Sequence, residues 1–277
     1  MTASNGYWLS FDGTKLHWYF WEARKPKAAI YLIHGMGEHA GRYEHVARFF
    51  NDNGISCLSF DLRGHGRSLG KRGHAPNFEA LMKDIDLLVY EGQLLARDLP
   101  SFLYGHSLGG NLVLNYALRR KTDFRGVIAT SPWLELVNPP KTSQLVLANV
   151  LRLIAPSFTI KTGLDSRGLA RNSSISAEYD NDRSVHGQIS LMLFSEISKA
   201  ARFAMNNAKY FPLPLLLVHG SDDPITSPSA SQRFAKQAPN AIFKSWEGLF
   251  HETHNESIWQ DVLTYNLKWL NNLLTNS

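Results

Sequence analysis

Apolar runs of five or six residues recur along the chain, each closed by a glycine-bearing polar turn, with stretches of helical spacing between them. Ala28-Ala29-Ile30-Tyr31-Leu32-Ile33 is apolar throughout, as a strand covered on both faces must be. It ends in His34-Gly35-Met36-Gly37-Glu38-His39, too rich in glycine to continue. Residues 43–53 set Val46, Phe49 and Phe50 at helical spacing before Gly54, which predicts a helix and its stop. Residues 55–60 read as the next buried strand, closing on Asp61-Leu62-Arg63-Gly64-His65-Gly66-Arg67-Ser68. A longer helix is predicted over 77–99, with an apolar face through Leu81, Ile85, Leu88 and Leu95. Residues 101–104 then read as a strand, 111–118 as a helix and 126–130 as a further strand. Ahead of all these, 7–11 and 16–21 are aromatic-rich strands joined by Asp12-Gly13, a strong hairpin signal.

Strands alternating with helices imply right-handed crossovers and an α/β fold, a mostly parallel central sheet flanked by helices. Ligands of such sheets bind outside the carboxyl ends of the strands, where the polar turns lie. The rhythm breaks after Ser131-Pro132-Trp133. Over 136–210 the spacing is helical, with Leu145, Ala148, Val150, Leu151 and Ile154 in one segment and Ile189, Leu191, Leu193, Phe194 and Ile197 in another. No buried strand stands out there, which predicts a helical cap inserted after the sixth strand and laid over the sheet edge. The strand pattern resumes at 213–218, followed by a helix near 229–237, a strand at 241–246 and a closing helix at 259–274. The expected organisation is a core of residues 1–135 and 211–277 with a cap, or lid, of residues 136–210.

A chain of 277 residues, 44% hydrophobic and 19% charged, has the material for a full core and excludes a disordered protein. No apolar run approaches the roughly 20 residues of a membrane span. The start, Met1-Thr2-Ala3-Ser4-Asn5, lacks the basic region and apolar core of a secretory signal, so the expected location is cytoplasmic. A net charge of +5 would suit nucleic acid or an anionic surface, but Lys and Arg are scattered and no nucleic-acid motif occurs. No nucleic-acid partner is expected. The single cysteine, Cys57, sits inside a strand run and reads as structural.

Candidate chemistry centres on Tyr104-Gly105-His106-Ser107-Leu108-Gly109-Gly110, a Gly-x-Ser-x-Gly turn with a strand before it and a helix after it. That context is the one a nucleophile elbow requires. A serine needs a base to take its proton and an acid to fix the base's tautomer. Asp223 follows a buried run in His219-Gly220-Ser221-Asp222-Asp223, and His251 follows the last strand, so Ser, Asp and His fall in the chain order expected of an α/β-hydrolase. Both have competitors, Asp222 and His254. Asp223 is favoured over Asp222 because Pro224 closes the turn directly after it. Oxyanion donors are expected from the backbone amides of Leu108 and Met36. His106 reads as buried in the elbow, and His34, His65 and His219 as loop braces. The chain lacks a full dinucleotide fingerprint, a phosphate loop and a zinc motif, so neither metal nor organic cofactor is expected.

These motifs together, with Glu38-His39-Ala40-Gly41-Arg42-Tyr43, Gly248-Leu249-Phe250-His251-Glu252-Thr253-His254 and the cap's Leu164-Asp165-Ser166 and Ser176-Ala177-Glu178-Tyr179-Asp180-Asn181-Asp182, resemble the monoacylglycerol lipase and lysophospholipase family over nearly the full length. The resemblance implies an α/β-hydrolase fold with Ser107 as nucleophile, His251 as base, Asp223 as orienting acid and the Met36 and Leu108 amides as oxyanion hole. It implies substrate contacts from Glu38, Arg42 and His254, with Tyr179 from the cap motif, and a lipid ester as substrate. Lysophospholipids or short-chain esters are the alternatives, then aminopeptidase action or a binding module that lost the reaction. Arg183 departs from the family, whose members often carry proline after the cap's aspartate. An apolar cap would hold an acyl chain at about 0.8 kcal/mol per buried methylene, and any apolar residues left outside would give transient contact with a membrane surface.

Overall fold

The apolar runs become the strands of one sheet. The computed structural model describes residues 3–275, apart from the side chains at 142, 145 and 149; of the residues read above, Met1, Thr2 and the Leu145 side chain lie outside it. The strands are β1 (Ser4–Leu9), β2 (Lys15–Trp21), β3 (Ala28–Ile33), β4 (Ile55–Phe60), β5 (Ser101–His106), β6 (Gly126–Thr130), the short β7 (Thr159–Lys161) and β8 (Gln188–Ser190), β9 (Leu215–Gly220) and β10 (Ala241–Trp246). Eight of them form a sheet in the order β1-β2-β4-β3-β5-β6-β9-β10. β2 is antiparallel to both its neighbours, and every pairing from β4 to β10 is parallel.

The helices are α1 (Glu44–Asp52), α2 (Phe78–Leu95), α3 (Leu108–Arg119), α4 (Thr142–Ile154), α5 (Ser173–Asn181), α6 (Leu191–Asn207), α7 (Pro228–Gln237) and α8 (Trp259–Thr275). Alternation along each strand splits the core into two. Ala28, Ile30 and Leu32 of β3 join Phe50 of α1 and Leu263 of α8 on one side. Ala29, Tyr31 and Ile33 join Leu81 of α2, Val113 of α3, Ile197 of α6 and Phe234 of α7 on the other. A strand with period-two side chains and both faces covered must be apolar at every position, as β3 is. α2 stops at Leu95, four residues before the expected end, and Leu95 is exposed rather than part of the apolar face.

The insertion expected as a helical cap over 136–210 is not uniform. β7 and β8 pair antiparallel within it, with Thr159 opposite Ser190 and Lys161 opposite Gln188. α6 belongs to the layer over the sheet, because α3 is buried from Leu108 to Ala117 and its outer side needs a cover. The small residues Ala200, Ala201 and Ala204 of α6 are buried, and Asn115 Nδ2 donates to the Ala200 carbonyl at 3.1 Å. Helical spacing alone does not distinguish a helix over the strand ends from one over another helix. The segment lying over the strand ends is therefore made by β7, α5 and β8, with α4 packed on α6.

Behind the loop that follows β4, Arg63 is clamped to Asp84 of α2 through Nε at 2.6 Å and Nη2 at 2.8 Å, and Asp84 has no exposed side-chain surface. Asp84→Ala leaves a buried guanidinium without its buried counter-ion and is expected to cost about 3–5 kcal/mol. Urea unfolding reads this directly; a loss under about 1 kcal/mol, the size of an exposed pair, would show the clamp to be ornamental to stability.

Candidate active site

β5 delivers Ser107, and α3 begins with the next residue. Ser107 itself has φ 53° and ψ −113°, a left-handed conformation that costs about 1–3 kcal/mol for a residue with a side chain. Backbone hydrogen bonds hold it there. Its N–H donates to the Thr130 carbonyl at 2.9 Å, and its own carbonyl accepts from Asn111 N–H at 3.0 Å and Trp133 N–H at 2.9 Å. The flanking glycines make the crossing possible, since a Cβ on Gly105 would collide with the Gly109 carbonyl and one on Gly109 with the Ile33 carbonyl.

The turns after β9 and β10 carry Asp223 and His251 to the same edge. His251 Nδ1 donates to Asp223 Oδ2 at 2.7 Å, with both side chains buried. Asp223 Oδ1 accepts from the Ile225 and Thr226 amides at 2.7 and 3.0 Å. Asp222 is exposed and among the described residues its carboxylate accepts only from Ser221 Oγ at 2.7 Å, so of the two aspartates it is Asp223 that meets a histidine. Ser107 and His251 both line a cavity of about 720 Å³. Its walls are largely apolar, including Trp133, Leu136, Ile189 and Phe194 with Ile225 and Phe250, and Gly35 and Met36 stand beside Ser107. Neither the Met36 nor the Leu108 amide donates to a backbone acceptor outside the regular elements among the described residues.

Of the four expected substrate contacts, Glu38 and Tyr179 line this cavity, while Arg42 and His254 do not. Glu38 Oε1 accepts from Gly35 N–H at 2.6 Å and Tyr43 Oη at 2.7 Å, and Oε2 accepts from Arg42 Nη1 at 2.7 Å. Arg42 also forks onto Glu252 at 2.6 and 2.8 Å, under the Tyr179 ring, and lines a separate polar cavity of about 600 Å³ with His45, Glu178 and Asp182. His254 is buried against Tyr43 and His106, with ring centroids 4.9 and 4.8 Å apart, so it stands behind the elbow rather than in the cavity. Two contributors escape the sequence reading: Glu252, and Thr226, whose hydroxyl donates to Asp223 Oδ2 at 2.9 Å. Glu252 adjoins His251 in the chain, but its partner lies 210 residues away and no local spacing announces it. Arg183 is exposed, and the Asp182 before it accepts from Ser184 N–H at 2.7 Å. Among the described residues no group of three or more His, Cys, Asp or Glu is placed to hold a metal ion.

The hydrolase family described as serine aminopeptidase, S33 (Hydrolase_4), matches residues 24–258. The chain belongs to this family. An uncharacterized abhydrolase domain-containing protein of Dictyostelium discoideum is 39% identical over 282 residues; the match takes in all of this chain but 30% of that longer protein. The monoacylglycerol lipase of Mycolicibacterium smegmatis is 30% identical over 251 residues, covering 88% of each chain. Among solved structures, the Paleococcus ferrophilus monoacylglycerol lipase superposes with a TM-score of 0.84 at 32% identity, over 94% of this chain and 99% of that one. The fold is the α/β-hydrolase fold expected from the sequence.

Within this family member, charge is distributed by burial and by the partners each group finds. Burial alone would raise Asp223, but the positive charge of His251 and hydrogen bonds from His219 and His251 hold its carboxyl well below the usual carboxylate range. Burial alone would lower His251, but the Asp223 charge and hydrogen bond outweigh it and raise it above 6.5. Burial opposes the charged form of Glu252 too, yet the Arg42 fork brings it down to about 2. Glu38, buried and sharing Arg42 with a second carboxylate, is raised.

His34 and His254 are pushed down to about 3 by burial, and His106 well below 6.5 for the same reason. The unfolded chain takes up protons at these imidazoles near 6.5, whereas the folded chain does not, so stability falls as pH drops from about 6.5 toward 3, by up to about 1.4 kcal/mol per pH unit per group. Glu252 acts in the same direction between 4.5 and about 2, and the groups that burial or partners raise, His251 with the carboxyls of Glu38, Asp61 and Asp84, oppose it. Thermal melts are expected to show a lower Tm at pH 5 than at pH 7; a Tm that holds or rises on acidification would contradict the buried neutral histidines.

Proposed function

We propose that the chain is a serine hydrolase that cleaves carboxylic esters of lipids, monoacylglycerols first, to free fatty acid and glycerol. The observation that carries this is that the Asp223-bound His251 and Ser107 line one largely apolar cavity of about 720 Å³. His251 Nε2 takes the Ser107 hydroxyl proton as Oγ attacks the ester carbonyl, while Nδ1–H stays on Asp223. The Met36 and Leu108 amides receive the oxyanion. Glycerol leaves with the proton from His251, and water hydrolyses the acyl-enzyme by the same route. Each methylene of the acyl chain held against the apolar wall contributes about 0.8 kcal/mol. For the headgroup, the supported contacts narrow to Glu38 and Tyr179, with Arg42 holding Glu38 by an ion pair and lying under the Tyr179 ring.

A fluorophosphonate probe is expected to label the wild type and not Ser107→Ala, and the acid limb of kcat/KM to lie above the ordinary histidine value of 6.5. A wild type that resists the probe would sink the enzyme reading. On a panel of monoacylglycerols, the matching methyl esters, lysophospholipids and aminoacyl anilides, monoacylglycerol is expected to turn over best. Glu38→Gln is expected to hurt monoacylglycerol more than the methyl ester; equal losses would remove Glu38 from headgroup recognition.

The outer surface of α4 supports a second part of the proposal, reversible contact with a lipid surface. Leu153 is 76% and Ile154 82% exposed, and Val146, Leu147, Val150 and the nearby Phe158 are each more than half exposed. Among the described residues no helix is long and apolar enough to cross a membrane. An apolar helix face of this kind partitions into the interface rather than through it. Val150→Asp with Ile154→Asp is expected to cut co-sedimentation with phosphatidylcholine vesicles while leaving hydrolysis of a soluble short-chain ester intact. Undiminished co-sedimentation of the double variant would overturn the contact.

A further inference from the structure

One buried histidine beside the triad is left unused by the mechanism. His219, in β9, has no exposed surface. Its Nε2 faces Asp223 Oδ2 at 2.9 Å and the Thr226 carbonyl at 3.2 Å. Both are acceptors, so Nε2 carries a proton. Its Nδ1 faces Ser231 Oγ of α7 at 2.9 Å. Asp223 Oδ2 is therefore met by ring N–H groups from two histidines, His251 at 2.7 Å and His219 at 2.9 Å. The third neighbour, Thr226 Oγ1, owns a single hydrogen and faces two acceptors, Asp223 Oδ2 at 2.9 Å and the Ser131 carbonyl at 3.1 Å. Oδ1 is occupied by two backbone amides.

We propose that His219 is a positioning residue for the reaction, a second imidazole donor that fixes the orientation of Asp223 and draws off part of its negative charge, with Ser231 anchoring the other side of its ring. The proposal rests on the triad reading above. Its chemistry has a definite sign. A hydrogen-bond donor on Asp223 stabilises the ionised carboxylate. It also occupies lone-pair density that would otherwise point at His251, so the His251 imidazolium is held less tightly than with a sole histidine on the acid. Removing the His219 donor should then do two things at once. The carboxylate loses its fixed aim and the rate falls; its whole charge falls on His251, which stays protonated to higher pH.

The test compares His219→Gln, whose side-chain amide can replace the Nε2 donor, with His219→Phe, which cannot donate, and with Ser231→Ala, which removes the partner that anchors the ring at Nδ1. The pH profile of kcat/KM on a soluble ester is read for each, with fluorophosphonate labelling of Ser107 and a thermal melt alongside. His219→Gln is expected to stay within about threefold of wild type with its acid limb unmoved, and His219→Phe to fall about 10- to 100-fold, the size of one hydrogen bond to a charged group, with the limb displaced upward. Ser231→Ala is expected to shift the limb the same way by less. Gln and Phe variants impaired alike with an unmoved limb would assign His219 to packing and overturn the proposal. Should the Phe variant not fold, an unmoved limb in Ser231→Ala overturns it. A wild type that the probe fails to label marks failure of the triad reading itself, whereas a labelled wild type with an unmoved limb in the variants marks failure of the His219 proposal alone.

Discussion

The crossing of α3 over the end of β5 is the constraint on which the rest of the molecule depends. Ser107 holds a left-handed backbone with a side chain attached, and it is kept there by hydrogen bonds to Thr130 on one side and from Trp133 on the other. A strained residue persists only where its surroundings over-determine it. Here they include β6, whose last residue accepts the Ser107 N–H, and β3, whose Ile33 carbonyl lies where a Gly109 side chain would be. The close approach drives α3 into the interior along nearly its whole length, and this in turn requires α2 and α6 to cover it. A local demand for a serine on a tight, strained turn thus propagates into the helical layer two elements away.

Around that turn the loops are pinned by carboxylates rather than by packing. Asp61 accepts from the Ala40 and Arg67 amides, both at 2.8 Å, tying the turn after β4 to the one after β3. His34 completes the same tie: its Nδ1 donates to the Gly35 carbonyl and its Nε2 accepts from Leu62 N–H, which fixes a neutral tautomer. Glu38, Arg42 and Glu252 join the loop after β3 to the one after β10. A buried carboxylate costs several kcal/mol to desolvate, so each is retained only where its lone pairs are filled. Filled lone pairs are directional. They give loops of glycine and polar residues the rigidity that apolar contacts give strands.

The strands and their carboxyl-edge turns were legible because a doubly covered strand has to be apolar at each position and a sharp turn has to carry glycine. The pairing of Asp223 rather than Asp222 with histidine was legible for a related reason, since Pro224 ends the turn where the acid must point inward. Three things were not. α6 reads as part of a cap because its spacing records that one side is buried, not what buries it. His254 is a headgroup contact only by the family resemblance, and the 3-10 turn Thr253–Asn255 places it against Tyr43 and His106. Glu252 and Thr226 were invisible because their partners are set by topology; a polar residue next to a candidate base has no periodicity to betray it.

The insertion is held differently on its two sides. Toward the catalytic loops it is stitched by directional bonds: His186 N–H to the Gly37 carbonyl at 2.8 Å, Ser190 N–H to the Gly73 carbonyl at 2.8 Å, His39 to Asp182 at 2.7 Å, and Glu252 N–H to the Leu169 carbonyl at 2.7 Å. At about 0.5–1.5 kcal/mol net for each, lifting this side as a unit would cost several kcal/mol and would also disturb the loops that carry Met36 and His251. α4 takes no part in that seam. It rests on α6 and turns apolar residues such as Val146, Val150, Leu153 and Ile154 outward. The side that carries Tyr179, His186 and Ile189 to the cavity wall is therefore geometrically fixed, whereas α4, outside that wall, is free of the same constraint.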